Sequence, residues 1–178
     1  MTFDELVALP AFSLSAPEKE AALLAELNAL TRHHYQHSPG YRRIADAAWG
    51  GPVQARTLAD VPYLPVEIFK EVSLSSTAAP SMVLRSSGTT GQRPSQITVD
   101  AETSDRQGRA LVATFRPVLG ASRMPLLLID TRQVISDPAM LTARGAGVLG
   151  MMKLGARATF ALDEALETQR GAVSAFVA

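Results

Sequence analysis

Pro125 to Ile129 read PLLLI, five apolar residues in a row that stop abruptly at Asp130. A strand with one face in water alternates apolar and polar residues, whereas an unbroken apolar run calls for cover on both faces. Five residues are far fewer than the roughly 20 that a membrane span needs. The run therefore predicts a buried strand, and such strands belong mostly to parallel sheets. Parallel neighbours need long crossovers, usually helices. The expected class is α/β.

The remaining segments agree. Ser15 and Glu18 have capping-box spacing, and Pro17 suits a first turn. The helix they open runs to residue 37, with Leu23, Leu27, Leu30 and His34 on one stripe, until Ser38-Pro39-Gly40 ends it. A shorter helix from Tyr41 to about Ala48 precedes Gly50-Gly51-Pro52. Two prolines three apart, Pro62 and Pro65, bar a regular helix from residues 57 to 70 and predict an extended path. SMVLRS (81–86) reads as a strand, and Ile97 and Val99 alternate with Gln96 and Thr98 as a second. Asp100 caps a helix whose apolar face is Leu111, Val112, Phe115 and Val118. Ser136-Asp137-Pro138 predicts a further helix start, RATFAL (157–162) a strand, and Asp163 a last helix through Phe176. The chain thus divides into a helical segment, 1–50, followed by an α/β portion, 51–178, with a mixed sheet and flanking helices.

Between the two central strands lies RSSGTTGQRPSQI (85–97). Ser86, Ser87, Thr89 and Thr90 bring four hydroxyls. Gly88 and Gly91 let a backbone approach an anion closely. Arg93 adds a cation suited to charge-assisted bonds. These residues fit a phosphate cradle, and they equally fit a solvated turn between strands. A P-loop is disfavoured, because its second glycine is missing and a strand follows instead of a helix.

Composition narrows the chemistry. Seventeen Lys and Arg balance seventeen Asp and Glu, which gives no support for a nucleic-acid or anionic-membrane partner. Trp49 and three tyrosines are too few for a base-stacking platform. There is no cysteine, so no disulfide, Cys-type zinc site or thiol nucleophile lies in these residues. Acids at the N-terminus and no long apolar segment argue against a secretory signal, and a cytoplasmic protein is expected. No G-x-S-x-G elbow is present.

SSGTTG resembles the nucleotide-binding signature of the adenylate-forming enzymes. Within that superfamily, three stretches are more similar to the acyl-protein synthetases of bacterial luminescence systems, the LuxE type. They are VPYLPVEIFKEVSLSS (61–76), LRSSGTTGQRPSQITVD (84–100) and ARGAGVLGMMKLG (143–155). The superfamily loop usually ends Gly-x-Pro-Lys; here Gln-Arg-Pro-Ser follows Gly91, with Arg93 as the charge substitute, and Pro94-Ser95 agrees with the LuxE type. The resemblance implies the N-terminal portion of an adenylate-forming large domain, so that 1–50 and 51–178 together form one incomplete domain. Relatives of this type continue beyond residue 178, with further nucleotide motifs and an acceptor cysteine. It implies ATP and Mg²⁺ as cofactors, a long-chain fatty acid as substrate and an acyl-reductase protein as partner. Ser86, Ser87, Gly88, Thr89, Thr90, Gly91 and Arg93 would touch the nucleotide phosphates. The activity implied is formation of an acyl-adenylate and transfer to a protein thiol. A carboxylate–CoA ligase of the phenylacetate-CoA ligase type shares the loop, and a truncated, non-catalytic nucleotide-binding module is the rival from another class.

Two other patterns invite chemistry. His33, His34 and His37 cluster in RHHYQH without a local carboxylate or cysteine, so a structural role is expected and no metal. Gly145 to Gly150 spell G-x-G-x-x-G, but about fifteen residues separate them from PLLLI, whereas a dinucleotide fingerprint follows its strand directly. Close packing of a glycine-rich helix is expected there, with Arg144, Gly145 and Gly147 as pocket candidates.

Overall fold

Capping chemistry decides where the helices start. In this computed structural model, which describes residues 1–80, 82–86, 94–136 and 140–178, the chain divides into two compact units. One is Met1–Pro80 with Gly88–Thr98 and the other Ser81–Ser87 with Val99–Ala178.

In the first unit, Thr2 and Glu5 exchange hydrogen bonds of 2.7 and 3.2 Å, a capping box that opens helix α1 (Phe3–Ala8). No apolar periodicity announces this helix. Glu18 Oε2 accepts from the Ser15 N–H at 2.9 Å and from its hydroxyl, and α2 follows as expected (Ala16–His37). Ser38 ends α2 and starts α3 (Pro39–Trp49): its N–H donates to the His34 carbonyl at 2.8 Å, while its Oγ accepts from the Tyr41 N–H at 3.2 Å. Gly50 closes α3 with φ of 73°, a backbone that suits glycine. The proline-rich segment forms no α-helix, only two 3-10 turns, Leu58–Asp60 and Val66–Lys70.

The expected stripe is only half met on α2, since Leu27 and His34 are half-buried. Leu23 and Leu30 are 47% and 48% exposed, and the buried residues are Asn28 and Thr31. Asn28 clasps the backbone of Ala55: its Nδ2 donates to the Ala55 carbonyl at 3.0 Å and its Oδ1 accepts from the Ala55 N–H at 2.8 Å. Two buried peptide groups of an irregular segment thereby find partners that no sheet or helix provides. The two fully buried side chains of this helix are polar, and they sit beside half-buried Leu24 and Leu27.

Gly40 sits where α3 meets the chain at Val72–Leu74. A Cβ there would run into the Ser73 carbonyl oxygen and lie 3.1 Å from Val72 Cγ1. Backbone oxygens cannot rotate away as side chains do. Gly40→Ala is expected to lower stability by about 1–3 kcal/mol, read as a lower urea midpoint with an unchanged slope.

The second unit holds β1 (Met82–Arg85), and β2 (Gln96–Val99) follows it in sequence, as expected for strands on either side of the hydroxyl-rich stretch. Asp100 caps α4 (Ala101–Leu119), accepting from the Thr103 N–H at 2.7 Å. Then come β3 (Met124–Thr131), a 3-10 turn (Arg132–Ile135), β4 (Met140–Thr142), α5 (Ala143–Met152), β5 (Gly155–Leu162) and α6 (Arg170–Val177). The strands fall into two small sheets. One contains the parallel pair β1·β4 and the other the parallel pair β3·β5. The class is mixed α/β, and α5 packs on strands of both sheets.

Several expectations need correction. The apolar run in β3 is parallel as expected, yet Leu126 to Leu128 are only half-buried and Ile129 is 81% exposed. Among the described residues β3 pairs with β5 alone, which leaves much of it uncovered. On α4, Leu111 and Phe115 turn inward, whereas Val112 and Val118 are exposed. The helix expected near Ser136 begins at Ala143, after β4; Asp137 and Pro138 lie outside the described residues. The last helix starts seven residues late, because Asp163 Oδ1 accepts from the N–H groups of Ala165 and Glu167 at 2.9 Å and winds a local turn instead.

Gly108, on α4, is covered by Lys153, whose Nζ lies where a Cβ would stand. The Lys153 carbonyl in turn accepts from Arg123 Nη2 at 2.9 Å.

Candidate functional site

Parallel strands put their carboxyl ends on one edge, and open α/β sheets gather ligands there. β1 ends at Arg85 and passes directly into Ser86, which is exposed. In β4, Thr142 stands in register with Arg85. Thr142 also caps α5, its Oγ1 accepting from the Gly145 N–H at 3.1 Å. The first hydroxyl of the candidate cradle thus leaves the same strand edge from which α5 begins. Ser87, Gly88, Thr89, Thr90, Gly91 and Arg93 lie outside the described residues.

The carboxyl end of β3 contributes more than its sequence suggested. Asp130 is 9% exposed, and its Oδ2 lies 3.1 Å from Arg144 Nε. Its other oxygen accepts from the Thr131 N–H at 2.8 Å. Thr131, also buried, accepts from the Gln133 N–H and so starts the 3-10 turn. Within that turn, the Arg132 guanidinium sits 5.2 Å from the centre of the buried Phe160 ring, in cation–π range. One signal could have marked Asp130: an acid at the end of a wholly apolar run needs a partner once buried.

Of the three pocket candidates, Arg144 reaches this edge, and Gly145 is buried as the residue bonded to the Thr142 cap. Gly147 is exposed, with open space where a Cβ would be. Gly150 carries the close packing, since a Cβ there would lie 3.1 Å from Leu111 Cδ2 of α4. β4 does precede α5 directly, which the sequence spacing did not reveal. All three glycines nevertheless lie inside the helix and not in a turn before it, so the dinucleotide fingerprint is not formed.

The histidines serve the α2–α3 corner. His33 and His37 stack with centroids 4.4 Å apart, and His37 Nδ1 donates to the His33 carbonyl at 2.9 Å. His34 packs edge-on to Tyr41, and its Nδ1 is buried with no partner among the described residues. Burial, aided by the charge of neighbouring His33, holds His34 below its ordinary pKa of 6.5. The unfolded chain therefore takes up this proton first, and stability falls as pH drops below that ordinary value toward the folded-state pKa. Urea midpoints measured at about pH 7.5 and about pH 5 should differ less in His34→Leu than in the parent. An equal difference in both would remove His34 as the cause.

Among the described residues, no group of three or more His, Cys, Asp or Glu could hold a metal ion. No helix among them is long and apolar enough to cross a membrane. A shallow groove of about 440 Å³ on α3 is lined by Gly40, Arg43, Ile44, Ala47, Ala48 and Val72.

A family model described as acyl-protein synthetase, LuxE, matches residues 2–171, most of the 178-residue chain. No curated protein and no solved structure matches it.

Proposed function

Because the chain belongs to the LuxE acyl-protein synthetase family, we propose that it takes part in ATP-dependent activation of a long-chain fatty carboxylate, as the N-terminal portion of an adenylate-forming domain. In this reaction a carboxylate oxygen bonds to the α-phosphorus of ATP, and the bond from that phosphorus to pyrophosphate breaks. A thiol then attacks the acyl carbon, releasing AMP and leaving a thioester. The chain contains no cysteine, so the receiving thiol is not among these 178 residues. The likeness to the LuxE type suggests an acyl-reductase protein as the partner.

One observation carries the reading. The hydroxyl-rich stretch begins at the carboxyl end of a parallel strand, in register with the residue that caps α5. Ser86, Ser87, Thr89 and Thr90 would donate to the β- and γ-phosphate oxygens. Gly88 and Gly91 would admit the backbone, and Arg93 would offset charge as it builds on the departing pyrophosphate. The donor chemistry also fits Mg²⁺, a hard cation that would be held by phosphate oxygens and hydroxyls while neutralising phosphate charge.

The test is direct. The chain is mixed with ATP, Mg²⁺ and a long-chain fatty acid, and pyrophosphate is measured beside calorimetric ATP binding. Pyrophosphate that depends on the fatty acid supports the reading. Binding without pyrophosphate makes the chain a non-catalytic nucleotide module, and no ATP binding removes the proposal. Coenzyme A in place of a protein thiol, accepted with equal yield, would make it the CoA-ligase type.

A further inference from the structure

We infer that Asp130 is a positioning residue, which sets the Arg144 guanidinium to receive an anionic oxygen group of the reactants, a phosphate or a carboxylate. The inference rests on the adenylating reading above and adds to it a residue outside the hydroxyl-rich stretch.

Two features of the pair run against what the fold alone would favour. Arg144 is the second residue of α5, where a cation faces the positive end of the helix dipole. Asp130 is a carboxylate withdrawn from water, a placement that costs free energy unless a partner offsets it. Other arginines on the second unit are arranged differently. Arg106 pairs with Glu102, and Arg109 with Asp105, at four-residue helical spacing with both partners exposed. Such pairs are solvated decoration worth little. Local rules broken together at one place tend to mark function.

The geometry says what the pair does. Contact is made through Nε, at 3.1 Å, and the Arg144 side chain remains 62% exposed. The second Asp130 oxygen is taken by the Thr131 N–H, which fixes the rotation of the carboxylate. A guanidinium held by Nε keeps its two terminal nitrogens for another partner, and that edge matches two oxygens of a phosphate or carboxylate. Arg144 follows Thr142 by two residues, and Thr142 stands opposite Arg85, the residue before Ser86. The strand edge that launches the hydroxyl-rich stretch thus also carries an oriented guanidinium.

The experiment uses Arg144→Gln, Asp130→Asn and the double variant, each checked by thermal unfolding. Calorimetry measures Mg·ATP binding without fatty acid and, separately, tetradecanoate binding without nucleotide, which tells phosphate from carboxylate. Arg144→Gln should weaken one of the two at least tenfold, and Asp130→Asn the same one by a smaller factor. The double variant leaves no buried charge unpaired, so it should regain the parent's thermal midpoint while its binding stays weak. Unchanged binding of both probes in Arg144→Gln overturns the inference, as does full recovery of binding in the double variant, which is the signature of a merely structural pair. Failure of the parent chain to bind Mg·ATP would instead sink the adenylating reading itself.

Discussion

Asn28→Leu lowers stability by about 2–6 kcal/mol, because one substitution strands two buried backbone groups at about 1–3 kcal/mol each. Leucine is close to asparagine in size, so the effect is not a cavity effect. What disappears is the clasp: the Ala55 N–H loses Oδ1 and the Ala55 carbonyl loses Nδ2. Ala55 is 5% exposed, so water is a poor substitute. Domains are stable by about 5–15 kcal/mol in total, so the variant should unfold at much lower urea concentration or fail to accumulate. A midpoint equal to the parent's would mean that the clasp is not formed in solution.

If the adenylating reading holds, Thr89→Val is expected to slow fatty-acid-dependent pyrophosphate release by about a hundredfold to a thousandfold, the loss that follows removal of one transition-state donor. Valine keeps the shape of threonine and deletes only the hydroxyl. The effect should fall mainly on turnover and less on ATP affinity, since charge on the leaving phosphates is greatest as the bond breaks. Steady-state rates at saturating ATP separate the two. A rate equal to the parent's removes Thr89 from the phosphate-binding set.

Much of the framework was legible because short-range chemistry specifies it. The Ser15–Glu18 box, the Ser38-Pro39-Gly40 break and the Asp100 cap each involve residues within three or four positions, and α2 and α4 begin where these signals stand. The unbroken apolar run marked PLLLI as a parallel strand, and it does pair in parallel with RATFAL, a partner the sequence did not name. Long-range contacts were less readable. The buried face of α2 depends on Asn28 meeting Ala55, 27 residues away, and no leucine count contains that bond. β4 is three residues long, too short for a periodicity to register. α1 was announced by the spacing of Thr2 and Glu5, a signal easily overlooked when the helix has six residues. At the candidate site, the hydroxyls and glycines advertised themselves as a run, whereas Asp130 and Arg144 are fourteen positions apart and joined only by the fold.

The lysine lying across Gly108 covers the helix backbone with the flexible end of its side chain. A larger residue at 108 need displace only that tip, while the Lys153 carbonyl that accepts from Arg123 belongs to the backbone and can stay where it is.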